Sequence, residues 1–411
     1  MRLLLPLAKA SKGKATDWQA RFSKLLLTTF MLTVLAAGGF LVPSVAQART
    51  DSLSTQKIQL SQLTMIDQLH GWALDKNRKH VFMTYQGPGR WIDVTPSFMI
   101  KNPDSYVTNS FFLNATHGYI GLLLGEKTYL ITTQNGGHTW QTTPFNLPII
   151  GDIPAITQIN FIDTQHGWLT FDINQVQPGE FQIRLMRTSN GGKTWQTMLD
   201  TSQTPASLPV PYSLSANFTF INAQDGWVTG IYLYGIVYLY DTHDGGKTWS
   251  ASGITPVKGY KDINFTQDYG PFWQGSHSAT LVVKYDTNDT LSHITTYQTH
   301  DSGKSWIPGP SSPISYNFIS SFVNAQEGWN FEFDGQDHYA ILHTSNGGLS
   351  WNSFRPSGLI PANADTQVLE NIQFINTTTG WLIIQDDQGN LNLFQTNTGG
   401  RYWHALQPVT S

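Results

Sequence analysis

Thr188-Ser189-Asn190-Gly191-Gly192-Lys193-Thr194-Trp195 decides how the chain folds. Asn-Gly-Gly is what a tight hairpin needs, because glycine reaches positive φ without a Cβ clash and the Asx side chain bonds N–H groups of its own turn. The flanking hydroxyls can satisfy further turn amides, and the Trp returns to the sheet as a large apolar plug. The same box, [ST]-x-[DN]-x-G-x-[ST]-W, recurs at Thr133, Asn135, Gly137 and Trp140, and at Thr242, Asp244, Gly246 and Trp249. It returns at Thr299, Asp301, Gly303 and Trp306, and at Thr344, Asn346, Gly348 and Trp351. Two more copies are degraded: Thr396 to Trp403 keeps Gly400 and Trp403 but has Thr398 for the Asx, and Thr84 to Trp91 keeps mainly the Thr and the Trp.

A second pattern, F-x-[DN]-x-x-x-G-W, precedes each box. It is intact at Phe161/Gly167/Trp168, Phe220/Gly226/Trp227, Phe322/Gly328/Trp329 and Phe374/Gly380/Trp381, with variants at Met65/Gly71/Trp72 and Phe112/Gly118/Tyr119 and a damaged copy around Phe265 and Phe272. Of the 14 tryptophans, only Trp18 and Trp273 fall outside the two patterns. The box tryptophans stand at 91, 140, 195, 249, 306, 351 and 403, a period of 45 to 57 residues. That is too long for helical pairs of about 34 residues and suits a four-stranded antiparallel sheet repeated seven times. Runs such as Ile156–Ile162 and Phe181–Met186 have strand composition, and no mature segment keeps an apolar stripe at helical spacing for three turns. The expected fold is all-β, a seven-bladed β-propeller over residues 60–411. Each blade is built from one repeat, or Lys57 to Leu63 lends a strand to the last blade.

Composition agrees. The 411 residues include no cysteine, which excludes disulfide scaffolds, thiol catalysis and thiolate metal sites. With 40% hydrophobic and 13% charged residues the chain can bury a large core. Arg2, Lys9, Lys12, Lys14, Arg21 and Lys24 precede the apolar run Leu25 to Val42 and the small-residue triplet Ala46-Gln47-Ala48. That order marks 1–48 as a secretory signal cut before Arg49, with 49–59 a short tail and an uncleaved membrane anchor the alternative. Removing 1–48 takes away six Lys/Arg and one Asp and leaves 18 basic against 27 acidic residues, a charge of −9. With the positive charge taken as dispersed, such a chain is a poor partner for nucleic acid.

These paired motifs resemble those of the BNR/Asp-box propellers: sialidases, sortilin-type ectodomains, xyloglucanases, and the propeller family of photosystem II assembly and stability factors. The resemblance to the last is strongest, because its repeats likewise pair a G-W strand with an N-G-G-x-T-W box; it covers about residues 60–408. It implies boxes on the blade periphery, away from the ligand face, and a basic partner site, from which a chain at −9 departs.

The carboxylates of Asp244 and Asp301 stand where other boxes have Asn and are expected to cap turns. A sialidase needs an arginine triad. Outside the boxes and the tail only Arg78, Arg184, Arg187 and Arg355 remain, and Phe354-Arg355-Pro356-Ser357 is a faint version of the sialidase F-R-I-P element. A glycosidase needs two carboxylates about 5 Å or about 6.5–9.5 Å apart. The loop candidates are Asp172, Glu180, Asp286, Asp289, Glu332, Asp334, Asp337, Asp386 and Asp387, of which the 334–337 and 386–389 stretches suit hairpin turns. No metalloprotease or full Ca²⁺ spacing is present, and no metal, cofactor or catalytic residue is assigned. Ile231 to Tyr240 is expected to form a hairpin filling the inter-blade core. The long connections Gln141 to Ala155, Asp200 to Ser213, Ile307 to Ser315 and Arg355 to Asp365 are rich in Pro and Ser and would gather on one face, the usual layout of a binding site. The functional expectation is an exported, monomeric, non-catalytic binding or assembly scaffold holding a protein or carbohydrate partner on that face. The alternative is a sialidase-like or xyloglucanase-like glycoside hydrolase.

Overall fold

The computed structural model describes residues 56–149, 153–177, 180–203, 208, 216–233, 237–254, 265–286, 292–314, 318–334 and 338–410, with the side chains of 174–177, 180–181, 231–233 and 265–268 left aside. The segment expected to be a signal, 1–48, lies outside them.

The repeat becomes a ring of seven antiparallel sheets. Blade 1 consists of Leu60–Met65, Gly71–Asp75, Val81–Thr84 and Arg90–Asp93, and blade 2 of Tyr106–Phe112, Gly118–Leu124, Lys127–Thr133 and Gln141–Phe145. Blade 3 is Ala155–Phe161, Gly167–Gln177, Glu180–Thr188 and Gln196–Asp200, and blade 4 is Asn217–Phe220, Gly226–Thr229, Leu239–Thr242 and Ser250–Ala251. Blade 5 is Phe265–Gln274, Ser278–Asp286, Ser292–Thr299 and Ile307–Pro308, and blade 6 is Phe318–Phe322, Gly328–Phe333, Tyr339–Thr344 and Asn352–Phe354. Val368–Phe374, Gly380–Gln385, Leu391–Thr396 and His404–Leu406 complete blade 7. A short helix, Ser97–Lys101, follows blade 1.

Closure runs opposite to the strand exchange considered from sequence. The C-terminal strand Val409–Thr410 pairs in parallel with Arg90 and Trp91, and Lys57 bridges to Val409, so the last residues are added to the first blade. Ile231 to Tyr240 is not a simple hairpin either: Ile231–Leu233 leaves blade 4 to pair with Phe265–Gln267 of blade 5, whereas Leu239–Thr242 returns to blade 4.

Both sequence patterns are interface devices. In blades 2, 3, 4, 6 and 7 the motif Phe pairs across the ladder with the motif Gly, as in Phe161↔Gly167 and Phe220↔Gly226, and in blade 1 Met65 takes the Phe position against Gly71. The phenyl ring lies over the glycine, where a Cβ at Gly167 would come within 2.5 Å of the Phe161 ring. The following Trp points to the next blade and stacks on that blade's Phe: Trp72 on Phe112 (4.7 Å between centroids), Trp168 on Phe220 (3.8 Å) and Trp329 on Phe374 (4.0 Å). The box Trp of that next blade meets the pair edge-on, as Trp140 meets Trp72, Trp249 meets Phe220 and Trp403 meets Phe374. A three-ring cluster therefore joins blades 1 and 2, 3 and 4, and 6 and 7, and such aromatic pairs add to the area they bury.

The fifth copy sits elsewhere than Phe265 and Phe272. Trp273 pairs with Ala279 and so takes the Phe position, with Ala279 for the Gly and Thr280 for the Trp. Trp273, outside both patterns in the sequence, packs at a tilt of 41° against Trp227 of blade 4, with centroids 4.2 Å apart.

Candidate functional site

Antiparallel order puts the first hairpin of each blade and its box turn on one face of the ring, and the second hairpin and the blade-to-blade connections on the other. The box face is self-satisfied. The Thr188 hydroxyl accepts the Gly192 amide (3.0 Å), Asn190 Oδ1 accepts the Thr194 amide (3.0 Å), and Trp195 Nε1 donates to Gly192 O (3.1 Å). Gly137, Gly246, Gly303, Gly348 and Gly400 donate in the same way to Thr133, Thr242, Thr299, Thr344 and Thr396. Where the seventh box lacks an Asx, the Thr398 hydroxyl accepts the Tyr402 amide instead.

Asp244 and Asp301 make these same turn bonds. Burial pushes the Asp244 carboxyl up, but donors from Thr248, Thr242 and Lys247 outweigh it and hold the pKa at about 2. The Ser305 hydroxyl and amide, with Thr299, hold Asp301 at about 2. Carboxylates held this far below neutrality are poor proton donors or acceptors at pH 7.

The opposite face has different chemistry. First strands of blades 2 and 3, 3 and 4, 4 and 5, 6 and 7, and 7 and 1 touch one another around the centre. In blades 1, 2, 3 and 7 these strands carry a bulge four residues before the motif Phe or Met, at Ser61, Thr108, Thr157 and Glu370. A bulge re-aims a side chain out of the regular pleat. The equivalent residues of blades 4, 5 and 6 are Ala216, Tyr269 and Phe318, the last two in edge-on contact at 5.7 Å. Glu370 is thus the one carboxylate among these seven first-strand positions. It is open to solvent, yet surrounding protein raises its pKa, against the pull of Arg78 and Lys76.

Those two cations come from the second hairpin of blade 1, Asp75-Lys76-Asn77-Arg78-Lys79-His80, where charge taken as dispersed is gathered at one place. The hairpin is rigidly built. Asp75 Oδ1 accepts the amides of Lys79 (2.6 Å) and His80 (2.8 Å), and Arg78 sits at φ 54°. Lys79 Nζ donates to Pro103 O and Ser105 O at 2.6 Å each, and Lys76 Nζ donates to Gly389 O of blade 7. Beside the residues held by Lys79 stand Ile100, 66% exposed on the short helix, and Tyr106, 58% exposed. A cationic hairpin and exposed apolar side chains therefore share one sector. The K-N-R-K run was the signal for it, hidden by averaging charge over the chain.

The remaining arginines are engaged elsewhere. Arg184 is buried against Asp200 (3.0 and 2.7 Å), Arg187 lies over the Trp168 ring, and Arg355 donates to Asp334 at 2.9 Å. No arginine triad forms among them. Of the candidate carboxylates, Asp386 caps its own turn by accepting the Gln388 and Asn390 amides, and Asp286 accepts the Ser292 hydroxyl. Glu332 is buried, Asp387 is exposed, Asp289 and Asp337 lie outside the described residues, and the Glu180 side chain is left aside. Asp172 differs: burial pushes its pKa to about 7 against a hydrogen bond from Thr157, and its Oδ2 is buried without a partner among the described residues. Neither Asp172 nor Glu370 is shifted by another carboxylate. Among the described residues no group of three or more His, Asp or Glu is placed to hold a metal.

No protein-family model matches the chain. Over 152 residues it is 26% identical to the photosystem II assembly lipoprotein Ycf48 of Synechococcus sp. (strain CC9902), a match that spans 37% of this chain and 38% of that protein's length. In three dimensions it is similar to the GH74 enzyme of Niastella koreensis, with 13% identity and a TM-score of 0.54 over 85% of this chain and 54% of that one. The GH74 xyloglucanase of Xanthomonas campestris aligns with 11% identity and a TM-score of 0.50 over 86% and 54%. The structural likenesses are likenesses of fold. By sequence, over about a third of its length, the chain is similar to a photosystem II assembly lipoprotein, and its fold is a seven-bladed β-propeller.

Proposed function

We propose that the protein is an exported, non-catalytic binding scaffold that holds an anionic, partly apolar protein segment against the mouth formed by blades 7, 1 and 2. The observation that carries this is Glu370 standing beside Arg78 and Lys76, with no second carboxylate shifting it. Cations at a rim steer and orient an acidic partner, and the exposed Ile100 and Tyr106 supply the apolar contact a stable complex needs. The relative from Synechococcus, named an assembly lipoprotein, supports a scaffold role. Carbohydrate is the second partner class for the same face.

A glycoside hydrolase is the alternative, and one observation favours it. Asp172, with its pKa near 7, has the protonation state of a general acid. One experiment on the full chain separates the two. A fluorescein-labelled peptide alternating Glu with Leu or Phe should bind, and the triple variant Lys76→Glu, Arg78→Glu, Lys79→Glu should weaken binding at least tenfold and flatten its salt dependence. Xyloglucan, sialosides and aryl glycosides should remain intact. Hydrolysis of any of them, abolished by Asp172→Asn, would reverse the assignment.

A further inference from the structure

The interface between blades 5 and 6 lacks the indole that the first-hairpin motif supplies at five of the seven interfaces. Trp72, Trp168, Trp227, Trp329 and Trp381 occupy that position, Tyr119 replaces one, and Thr280 stands in blade 5. The core has adjusted to the loss. The ladder slips between Tyr269 and Phe272, and Phe272 stacks on Phe322 of blade 6 at 4.7 Å in place of an indole. The carbonyl bonds are also replaced. Trp168 Nε1 donates to the first box glycine of the next blade, Gly245 O, and Trp329 Nε1 to Gly399 O. Here Gln298 Nε2 donates to the equivalent Gly347 O (3.0 Å) and to Asn346 O (2.6 Å), and Thr280 Oγ1 donates to Ala325 O.

Above Thr280 this exchange leaves an open cavity of about 260 Å³ on the box face. Its wall includes Gln274, Gln298, Gln326, Ser345, His300 and Leu349, and no Asp, Glu, Lys or Arg lines it among the described residues. Gln298 commits its N–H groups to backbone and keeps Oε1 as an acceptor. Elsewhere the residue before the box Thr closes the corresponding space by lying over the Trp: Arg187 over Trp168 and His343 against Trp329. With no ring beneath it, Gln298 cannot close the space in that way.

We infer that this cavity is a second binding site, distinct from the cationic mouth, and that it takes one neutral pyranose unit. The size admits a single six-membered ring and not a drug-sized ligand. Amides and hydroxyls match a polyol's mixed donors and acceptors, and no Lys or Arg in the wall offers an anion a fixed counter-charge. Leu349, 46% exposed, gives the apolar wall for the sugar's C–H face. A lone ring bound by neutral groups implies a dissociation constant on the order of 1 mM.

The test is saturation-transfer NMR on the full chain with the methyl glycosides of glucose, galactose and mannose, and with glucuronic acid as the charged control. At least one neutral glycoside should show transfer, the glucuronate none. The variant Thr280→Trp, which puts the residue of the other blades at the floor of the cavity, should abolish the transfer where the variant keeps a folded ring, at some cost in melting temperature because Phe272 already stacks on Phe322. Because a misfolded Thr280→Trp would be uninformative, Gln326→Ala and Leu349→Asp provide surface changes that should each reduce transfer at least threefold without altering the fold. Absence of transfer from every neutral glycoside, or equal transfer in wild type and a folded Thr280→Trp, would overturn the inference. Peptide binding at the mouth is read separately in the same samples, so failure of one site does not mimic failure of the other.

Discussion

Trp168→Ala tests whether the three-ring cluster holds the ring together. Trp168 is 1% exposed, stacks on Phe220 at 3.8 Å with the planes 3° apart, and donates from Nε1 to Gly245 O at 3.1 Å. Truncation of a buried Trp removes its transfer energy and leaves a cavity, together about 3–5 kcal/mol. Trp168→Phe keeps a stacked ring and loses the N–H and part of the volume, so its cost should be smaller, about 1–2 kcal/mol. Urea titration followed by circular dichroism should give this order, with Tyr402→Ala, a 54%-exposed position, near zero as the control. Because a repeat ring can open at one interface before the rest unfolds, hydrogen exchange should show the amides of Asn217–Phe220 and Gly167–Thr170 losing protection first. A Trp168→Ala loss below about 1 kcal/mol, or exchange raised evenly around all blades, would refute the idea that stability is held at blade-to-blade clusters.

At Gly192, φ is 85°, so Gly192→Val should lower the melting temperature sharply, whereas Asp244→Asn should be nearly silent because Asn makes the same turn bonds in other boxes; thermal melts of both decide it. Asp172 has a folded pKa of about 7 against an unfolded value near 4, so its contribution to stability is complete below about pH 4 and is lost as pH rises through about 7. Asp172→Asn should therefore stabilise the protein at pH 8 more than at pH 4; the reverse order in chemical denaturation would show a paired carboxylate instead. Removing residues 409–411 deletes the strand that pairs with Arg90 and Trp91 and should lower the unfolding midpoint, with early exchange in blades 1 and 7. N-terminal sequencing of the exported protein should begin at Arg49; a start at Met1 would favour the membrane anchor.

The fold was legible because its signal is covalent and local. Asn-Gly-Gly dictates a turn wherever it occurs, and the Phe and Gly that face each other across a hairpin lie six residues apart, within one reading window. Blade 5 was misplaced for the same reason: once Ala279 and Thr280 had replaced Gly and Trp, the six-residue spacing from Trp273 survived but no residue type marked it. Closure by Val409–Thr410 was illegible because it depends on pairing across more than 300 residues, and nothing in a two-residue strand encodes its partner. The boxes were found and the mouth was not. Glu370 has no motif; what matters is that a bulge in blade 7 brings it to a hairpin of blade 1. The arginines could be counted from sequence, but only the structure shows that Arg184 and Arg355 already hold Asp200 and Asp334.

The position of the cationic hairpin has a mechanical consequence. Blade 1 is the blade on which the ring closes, and its second hairpin crosses that seam: Lys76 reaches Gly389 O, Gln59 Nε2 donates to Asn390 Oδ1 (3.3 Å), and Gln373 of blade 7 holds both the amide and the carbonyl of Met65. Beneath these polar contacts the seam holds a buried apolar cluster of Leu60, Leu63, Met65 and Trp91 from blade 1 with Trp381, Ile383 and Leu393 from blade 7, so opening the ring there exposes core as well as polar groups. A partner that neutralises Lys76 and Arg78 while spanning blades 7, 1 and 2 would therefore bind the closed ring better than the open one. Whatever binds only the native ring stabilises it by mass action, so occupancy at the mouth should slow exchange at the seam before it affects blades 3 to 6. The same geometry explains why the binding hairpin can carry three cations without destabilising its blade. Lys79 and Lys76 are each anchored on backbone carbonyls, and Arg78 has Glu370 as a nearby counter-charge.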